Sequence, residues 1–332
     1  MTRKIAINGF GRIGRQVFRI LEGAQDIEVV AINDLTPPEM SAHLLKYDSV
    51  HGRFDADIEV VDQGFKINDR FVRVTAERNP ADTKWGELGV EVVLECTGIF
   101  RSKEKAQAHI DAGARWVVIS APGQNVDLTV VMGVNDDELK PGEHQIVSNG
   151  SCTTNCLAPV VKVIDDTFGV ESGLMTTIHS YTNDQHLLDL PHKDKRRARA
   201  AAMSMIPTST GAAAAIGLVL PHLAGKLDGM AVRVPTPNVS LVDVVLTTRE
   251  PVTAEAANAA LKSASEGPLK GVLGFEEAPL VSCDYIGDPR SSIVDAANTK
   301  SMGTHTLKLL SWYDNEWGFS NRMIDLTRKL LG

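Results

Sequence analysis

The sequence has few aromatic residues and little cysteine: aromatics make up 5% of its 332 residues, and the four cysteines lie at positions 96, 152, 156 and 283. A disulfide scaffold is not needed, and a reducing, cytoplasmic setting fits that usage. Only Cys152 and Cys156 stand close together, and no second Cys/His pair follows at ligand spacing, so no metal is expected. No apolar run approaches the roughly 18 residues that span a bilayer, and the opening Met-Thr-Arg-Lys-Ile-Ala-Ile-Asn lacks the apolar core of a signal peptide. No membrane association is therefore expected. Excess positive charge is also missing. A formal net charge of -8 argues against nucleic acid as the main partner. Internal repeats, low-complexity tracts and long linkers are absent. What remains is an ordinary globular composition, 43% hydrophobic and 23% charged, in a chain long enough for two domains.

Residues 4–8 read as a short apolar strand running into Gly9-Phe-Gly-Arg-Ile-Gly14, and Ile13, Val17, Ile20 and Leu21 then recur at helical spacing. A second apolar strand at 27–33 closes on Asp34, completing a βαβ unit of the kind found in parallel sheets covered on both faces. Residues 58–73 alternate around Gln63-Gly64 and Asn68-Asp69, which reads as antiparallel hairpins. Strands return at 92–95, 116–120, 129–132 and 145–148, with a helix at 102–112 before Gly113. From Ser148 the pattern changes. A helix from about Cys152 to Phe168 ends on Gly169. Longer, alternating strands at 174–180, 230–234, 240–248 and 306–313 suggest a mostly antiparallel sheet backed by helices, and 321–331 reads as an amphipathic helix. The expected fold is α/β plus α+β. A Rossmann-type domain over 1–150, completed by 315–332, accompanies a second domain over 151–314.

GxGxxG alone also suits any tight strand–helix turn. Here it lies between strand and helix, with an acid ending the next strand, as a dinucleotide site requires. Gly9 permits the turn, Gly11 lets the backbone approach a pyrophosphate, and Gly14 permits close helix–strand packing. The helix N-terminus offers unpaired N–H groups and the positive end of its dipole. Asp34 can accept hydrogen bonds from both ribose hydroxyls and would repel a 2′-phosphate, so NAD is expected over NADP.

The densest chemistry lies in Ser148-Asn-Gly-Ser-Cys-Thr-Thr-Asn-Cys156. Cys152 falls in the first turn of a helix, where the dipole favours a thiolate and lowers the thiol pKa. His179 ends the following strand and can supply a proton shuttle. A lone cysteine is commonly a small core residue, but Cys152 is flanked by Ser, Thr and Asn. Most of the nine histidines are ordinary packing or surface residues, and position alone does not single out His179.

Five segments carry a resemblance: Asn8-Gly-Phe-Gly-Arg-Ile-Gly-Arg15, Ser151-Cys-Thr-Thr-Asn-Cys156, His179-Ser-Tyr-Thr-Asn-Asp184, Arg233-Val-Pro-Thr-Pro-Asn238 and Trp312-Tyr-Asp-Asn-Glu-Trp-Gly318. In order and over nearly the whole chain, they resemble the glyceraldehyde-3-phosphate dehydrogenase family. The resemblance implies Cys152 as nucleophile and His179 as base, its imidazolium also steadying the oxyanion. It implies NAD as cofactor, glyceraldehyde 3-phosphate and inorganic phosphate as substrates, and a glycolytic role through a hemithioacetal and a thioester. The substrate phosphate would meet Thr182, Asp184, Arg197 and Arg233. The attacking phosphate would meet Ser151, Thr153, Arg197, Thr210 and Gly211. For NAD the resemblance adds Arg12 and Ile13 at the pyrophosphate, Arg78 and Ser120 along the adenosine and ribose, and Asn315 at the nicotinamide amide. It also implies a homotetramer, with Leu190-Pro191 reaching the adenosine ribose across a subunit contact. The basic run Lys193, Lys195, Arg196, Arg197 and Arg199 would otherwise read as a solvated face. Phe319 and Gly150 depart from the tyrosine and alanine usual in the family, and neither touches a reacting group.

Erythrose-4-phosphate dehydrogenase is the nearest rival, but it lacks the phosphate-pocket run Thr208-Ser-Thr-Gly211. Semialdehyde dehydrogenases lack the Asp34 context. A secondary RNA- or surface-binding role, separable by Cys152→Ser, is a reading of a different class.

Overall fold

The computed structural model describes residues 2–332, and the chain divides into two compact units. The first takes in residues up to Val130, Asp136–Gly150 and Ser320–Gly332; the second holds Val131–Asn135 and Ser151–Phe319.

In the first unit the chain runs through β1 (Arg3–Asn8), α1 (Arg12–Leu21), β2 (Ile27–Asn33), α2 (Pro38–Lys46) and the short pair β3 (Tyr47–Asp48) and β4 (Gly52–Arg53). The strands β5 (Ile58–Val61), β6 (Gly64–Ile67), β7 (Arg70–Thr75) and β8 (Val92–Glu95) follow, then α3 (Lys103–Asp111), β9 (Trp116–Ile119), β10 (Leu128–Thr129) and β11 (Ile146–Ser148). One sheet has the order β10-β11-β9-β8-β1-β2-β7-β6-β5. Its seven strands from β10 to β7 are parallel, and β5 and β6 extend it as antiparallel hairpins. This is a Rossmann-like sheet, with apolar strands such as Val92–Glu95 buried throughout. The chain leaves β1 toward β2 and later returns to β1's other side as β8. That reversal makes a crevice at the carboxyl ends of the two strands. Residues 129–132 were expected as a strand, but β10 stops at Thr129, ahead of a turn in which Gly133 takes φ +78°.

The second unit opens with α4 (Cys152–Phe168) and continues through β12 (Val170–Ser180), β13 (Ile206–Ser209), α5 (Ala212–Val219), β14 (Leu227–Val234), β15 (Ser240–Thr248) and α6 (Ala254–Glu266). It closes with β16 (Leu273–Glu276), β17 (Ser292–Asp295), β18 (Lys300–Met302) and β19 (Thr306–Tyr313). The sheet runs β13-β14-β12-β15-β19-β17-β16, with β18 on β19. It is mixed: β12–β14 and β16–β17 pair in parallel and the rest antiparallel. Alternation in sequence reports the buried face and is silent on strand direction. The core lies between this sheet and α4, α5 and α6, with Leu157, Val161, Ile164, Ile216, Leu261, Val244 and Leu309 packed together. The last helix, α7 (Trp317–Leu331), starts four residues ahead of the expected 321, because Asp314 Oδ1 accepts from the Glu316 and Trp317 N–H groups and caps it.

Candidate active site

In the first unit the strand ends build a cleft of about 400 Å³, lined by Asn8, Gly9, Gly11, Asn33, Asp34 and Arg78 among others. Gly9 has φ +93°, and a Cβ there would meet the Thr97 backbone nitrogen at 2.6 Å; a Cβ on Gly14 would fall 2.2 Å from the Gly9 carbonyl oxygen. Both positions therefore need glycine for close packing. Around Gly11, by contrast, a Cβ would meet nothing within 4 Å. Gly11 is the N-cap of α1, which has no side-chain cap and no acidic residue in its first turn, so its first N–H groups suit an anion. Asp34 accepts from the Phe10 N–H at 2.6 Å and the Thr36 N–H at 2.8 Å, which fixes its carboxylate at the rim. An open glycine turn, an uncapped helix end and a fixed rim carboxylate fit a dinucleotide.

The other cofactor candidates of the first unit lie on α1 and just after β9. Ile13 and Gly14 sit in the first turn of α1. Arg12 is tied to Asp48 through Nη1 at 2.6 Å. Burial alone would raise the Asp48 carboxyl, but the His51 and Val50 N–H groups and Arg12 outweigh it and bring it down to about 2. Ser120 hydrogen-bonds the Cys96 thiol, which burial and the neighbouring Glu95 push up to about 12.

In the second unit Cys152 is the first residue of α4, behind the N-cap Ser151, whose hydroxyl accepts from the Thr154 N–H at 3.0 Å. Its Sγ lies 3.5 Å from His179 Nε2. The His179 Nδ1 is 2.7 Å from both the Ser180 carbonyl oxygen and Arg233 Nη1. A proton on Nδ1 donates to Ser180 and leaves a lone pair facing the thiol. A proton on Nε2 lets Nδ1 accept from Arg233 and points an N–H at sulfur. The neutral ring can thus face either a thiol or a thiolate.

The thiol does not follow the direction expected from its place at a helix N-terminus. Burial pushes Cys152 up, and the Arg233 charge together with hydrogen bonds at the start of α4 only partly opposes this. Burial also brings His179 down to about 3, with the Arg233 charge acting in the same sense. Desolvation outweighs the helix dipole for a side chain packed against the core. Moving the proton from Sγ to Nε2 creates opposite charges 3.5 Å apart, whose attraction offsets part of that cost.

Of the anion-site candidates, Arg233 and Arg197 lie close enough for their charges to act on His179. Arg197 donates to Asp184 Oδ2 at 2.5 Å, to the Thr208 hydroxyl at 2.9 Å and to the Ser209 carbonyl at 3.2 Å. Its charge reaches both Arg233 and His179. Asp184 thereby braces Arg197, and its carboxylate would repel a phosphate. Thr210 Oγ1 accepts from the Ala212 N–H at the start of α5, with Gly211 exposed beside it. Thr182 forms a turn in which its carbonyl accepts from the Gln185 N–H. The Thr153 hydroxyl turns inward to Tyr313 Oη at 2.8 Å. Asn315 Oδ1 accepts from the Ser180 and Ser240 hydroxyls, each at 2.9 Å, which orients its amide.

Tyr313 is the residue that sequence reasoning passed over. Its hydroxyl bonds Thr153 and Thr177, each at 2.8 Å, and its ring meets His179 edge-on with centroids 6.0 Å apart. Its only signal was a polar-headed aromatic at a buried, core-facing position of an alternating strand. Among the described residues no group of three His, Cys, Asp or Glu side chains is placed to hold a metal ion, and no helix is long and apolar enough to cross a membrane.

Comparison with known proteins agrees with this geometry. The model of the glyceraldehyde 3-phosphate dehydrogenase NAD binding domain matches residues 3–103, and that of the C-terminal domain matches residues 151–315. Glyceraldehyde-3-phosphate dehydrogenase 1 of Bacillus subtilis is 58% identical over 98% of this chain and 97% of its own length. Glyceraldehyde-3-phosphate dehydrogenase of Geobacillus stearothermophilus is also 58% identical, over the same shares. Glyceraldehyde-3-phosphate dehydrogenase 2 of Streptomyces avermitilis is 53% identical over 98% of each chain. This chain belongs to the glyceraldehyde-3-phosphate dehydrogenase family, NAD-dependent oxidoreductases of glycolysis.

Proposed function

We propose that the chain oxidises D-glyceraldehyde 3-phosphate with NAD and captures the acyl group on inorganic phosphate, giving 1,3-bisphosphoglycerate. The observation that carries this reading is the Cys152 Sγ held 3.5 Å from His179 Nε2, with Arg233 on the far side of the ring. Sγ adds to the aldehyde carbon while its proton passes through Nε2 to the carbonyl oxygen, giving a hemithioacetal. When bound, NAD supplies a hydride acceptor. As the hemithioacetal carbon loses hydride, Nε2 takes the hydroxyl proton and the adduct becomes a thioester. Inorganic phosphate then attacks the thioester carbon, and Cys152 leaves as a thiolate that recovers its proton from Nε2. Arg233 and Arg197 supply the positive field for the dianionic phosphates, with Asp184 and Thr208 holding Arg197 in place.

Copies of the chain would assemble through the loop ahead of β13. There Leu187, Leu188, Met203 and Met205 are each more than 70% exposed, a cluster too apolar to face water alone. The assembly proposed is a homotetramer in the cytoplasm; the exposed side chains support self-association, and light scattering of the purified chain tests the number of copies. The test of function is NADH formation from glyceraldehyde 3-phosphate with and without inorganic phosphate. Sustained turnover should require phosphate, and equal rates with release of the free acid would overturn the reading.

A further inference from the structure

A buried polar ladder crosses the carboxyl ends of β7, β2, β1 and β8 directly beneath the nucleotide cleft, and its members take no part in the chemistry at Cys152. It ends on Glu95, which is 1% exposed. Its Oε2 accepts from Asn8 Nδ2 at 2.6 Å and faces His109 Nε2 at 3.0 Å. Its Oε1 accepts from the Thr97 N–H at 2.8 Å and from the Thr97 hydroxyl. Asn33 Nδ2 donates to Asn8 Oδ1 at 2.8 Å, while Asn33 Oδ1 accepts from the Thr75 hydroxyl and the Glu77 N–H, each at 2.8 Å. From Thr75 through Asn33 and Asn8 the donors point toward Glu95, while Asn33 Nδ2 also donates to the Glu77 carbonyl at 2.9 Å. The bonds of that chain polarise one another in a low-dielectric setting.

His109 is held in one tautomer. Trp85 Nε1–H can only donate and lies 3.1 Å from His109 Nδ1, so Nδ1 carries the lone pair and Nε2 the hydrogen that meets Glu95. All four donors to Glu95 are neutral, and a glutamine there would turn its amide N–H groups against one pair of them whichever way it flipped.

The ladder has a direct line to the cofactor. Thr97 is the surface on which Gly9 rests, since a Cβ on Gly9 would meet the Thr97 nitrogen at 2.6 Å and its Cγ2 at 2.8 Å. Asn8, Asn33, Glu77 and Thr97 all line the cleft. We propose that Glu95, locked by His109 and Trp85, is a positioning residue for NAD: through Thr97 and the Asn8–Asn33 pair it fixes the glycine turn and the rim that receive the dinucleotide. This rests on the cofactor reading of the cleft.

The test is NAD affinity by calorimetry on the full-length protein, with melting temperature and the rate of Cys152 alkylation in the absence of NAD measured alongside. Glu95→Gln should raise the NAD Kd at least about tenfold, which corresponds to about 1.4 kcal/mol. The alkylation rate should stay at the wild-type value, and turnover should show a raised KM for NAD with kcat little changed. Thr75→Val, nearly isosteric and only partly buried, removes the far donor and should raise Kd about threefold. His109→Gln, which keeps a donor for Glu95, should bind NAD more tightly than His109→Leu. These variants decide the matter if Glu95→Gln does not fold. Val117→Ala, a cavity in the same sheet outside the ladder, should lower the melting temperature with Kd unchanged. A Kd within twofold of wild type in Glu95→Gln and Thr75→Val would overturn the proposal. So would Val117→Ala shifting Kd as much as they do. A wild-type protein that binds no NAD would instead refute the cofactor reading itself.

Discussion

Replacing Asp34 with alanine should change cofactor choice by a calculable amount. The carboxylate is held by the Phe10 and Thr36 N–H groups at 2.6 and 2.8 Å, so it cannot swing away from an incoming ribose. A 2′-phosphate placed about 5 Å from it, at an effective dielectric near 20, meets a repulsion of about 3 kcal/mol per pair of unit charges. That corresponds to a factor of roughly 150 in kcat/KM against NADP. The same carboxylate offers charge-assisted hydrogen bonds to the ribose hydroxyls of NAD, contributing about 1.5–3 kcal/mol. Asp34→Ala removes both effects and also leaves two backbone donors without their acceptor, which loosens the turn for either cofactor. The NAD-to-NADP ratio of kcat/KM cancels that shared loss. The ratio should fall by roughly three to four orders of magnitude. Steady-state kinetics with each cofactor at fixed glyceraldehyde 3-phosphate gives the number, and a ratio changed less than fivefold would refute the reasoning about Asp34.

Other consequences can be checked with single variants. His179→Asn should slow alkylation of Cys152 by iodoacetamide as well as hydride transfer, since the buried thiol loses the group placed to take its proton; an unchanged alkylation rate would speak against the pair. Limiting iodoacetamide with peptide mapping should leave Cys156 unlabelled, because it is buried and burial pushes its thiol up to about 12. Asp48 contributes stability that is full above the ordinary carboxyl pKa and is lost as pH falls from about 4 toward 2. Asp48→Asn should therefore cost roughly 2 kcal/mol at neutral pH and flatten the acid limb of a denaturation series. Tyr313→Phe removes the bonds to Thr153 and Thr177 and should lower the melting temperature by a few degrees and kcat severalfold. An unchanged kcat would remove Tyr313 from the set that positions His179.

How far the sequence reached differed from element to element, for physical reasons. The glycine turn, Asp34 and the helix from Cys152 to Phe168 were legible because each is written in local chemistry: a positive-φ turn, an acid at a strand end, a Ser cap and a Gly stop. Strand direction was not legible. The parallel pairing of β12 with β14 rests on a connection that carries no mark in either strand. α5 was missed because Ala212–Val219 is apolar on every face and shows no period. The thiol shift went the other way because burial of Cys152 depends on packing partners far along the chain. Asp184 looked like part of an anion site by its place in a motif, and the fold makes it the brace for Arg197. Glu95 and His109 gave no signal at all, since an acid ending an apolar strand and a histidine in a charged helix acquire meaning only when Asn8 and Trp85 arrive beside them.

Mass spectrometry of a quenched reaction tests the covalent chemistry most directly. With NAD and glyceraldehyde 3-phosphate but no inorganic phosphate, the peptide carrying Cys152 should gain a phosphoglyceroyl thioester. Adding phosphate should discharge it within the turnover time. Cys152→Ser should show neither adduct nor NADH while still binding NAD. NADH formation with Cys152 unmodified throughout, or with the adduct on another cysteine, would contradict the assignment of Cys152 as the nucleophile.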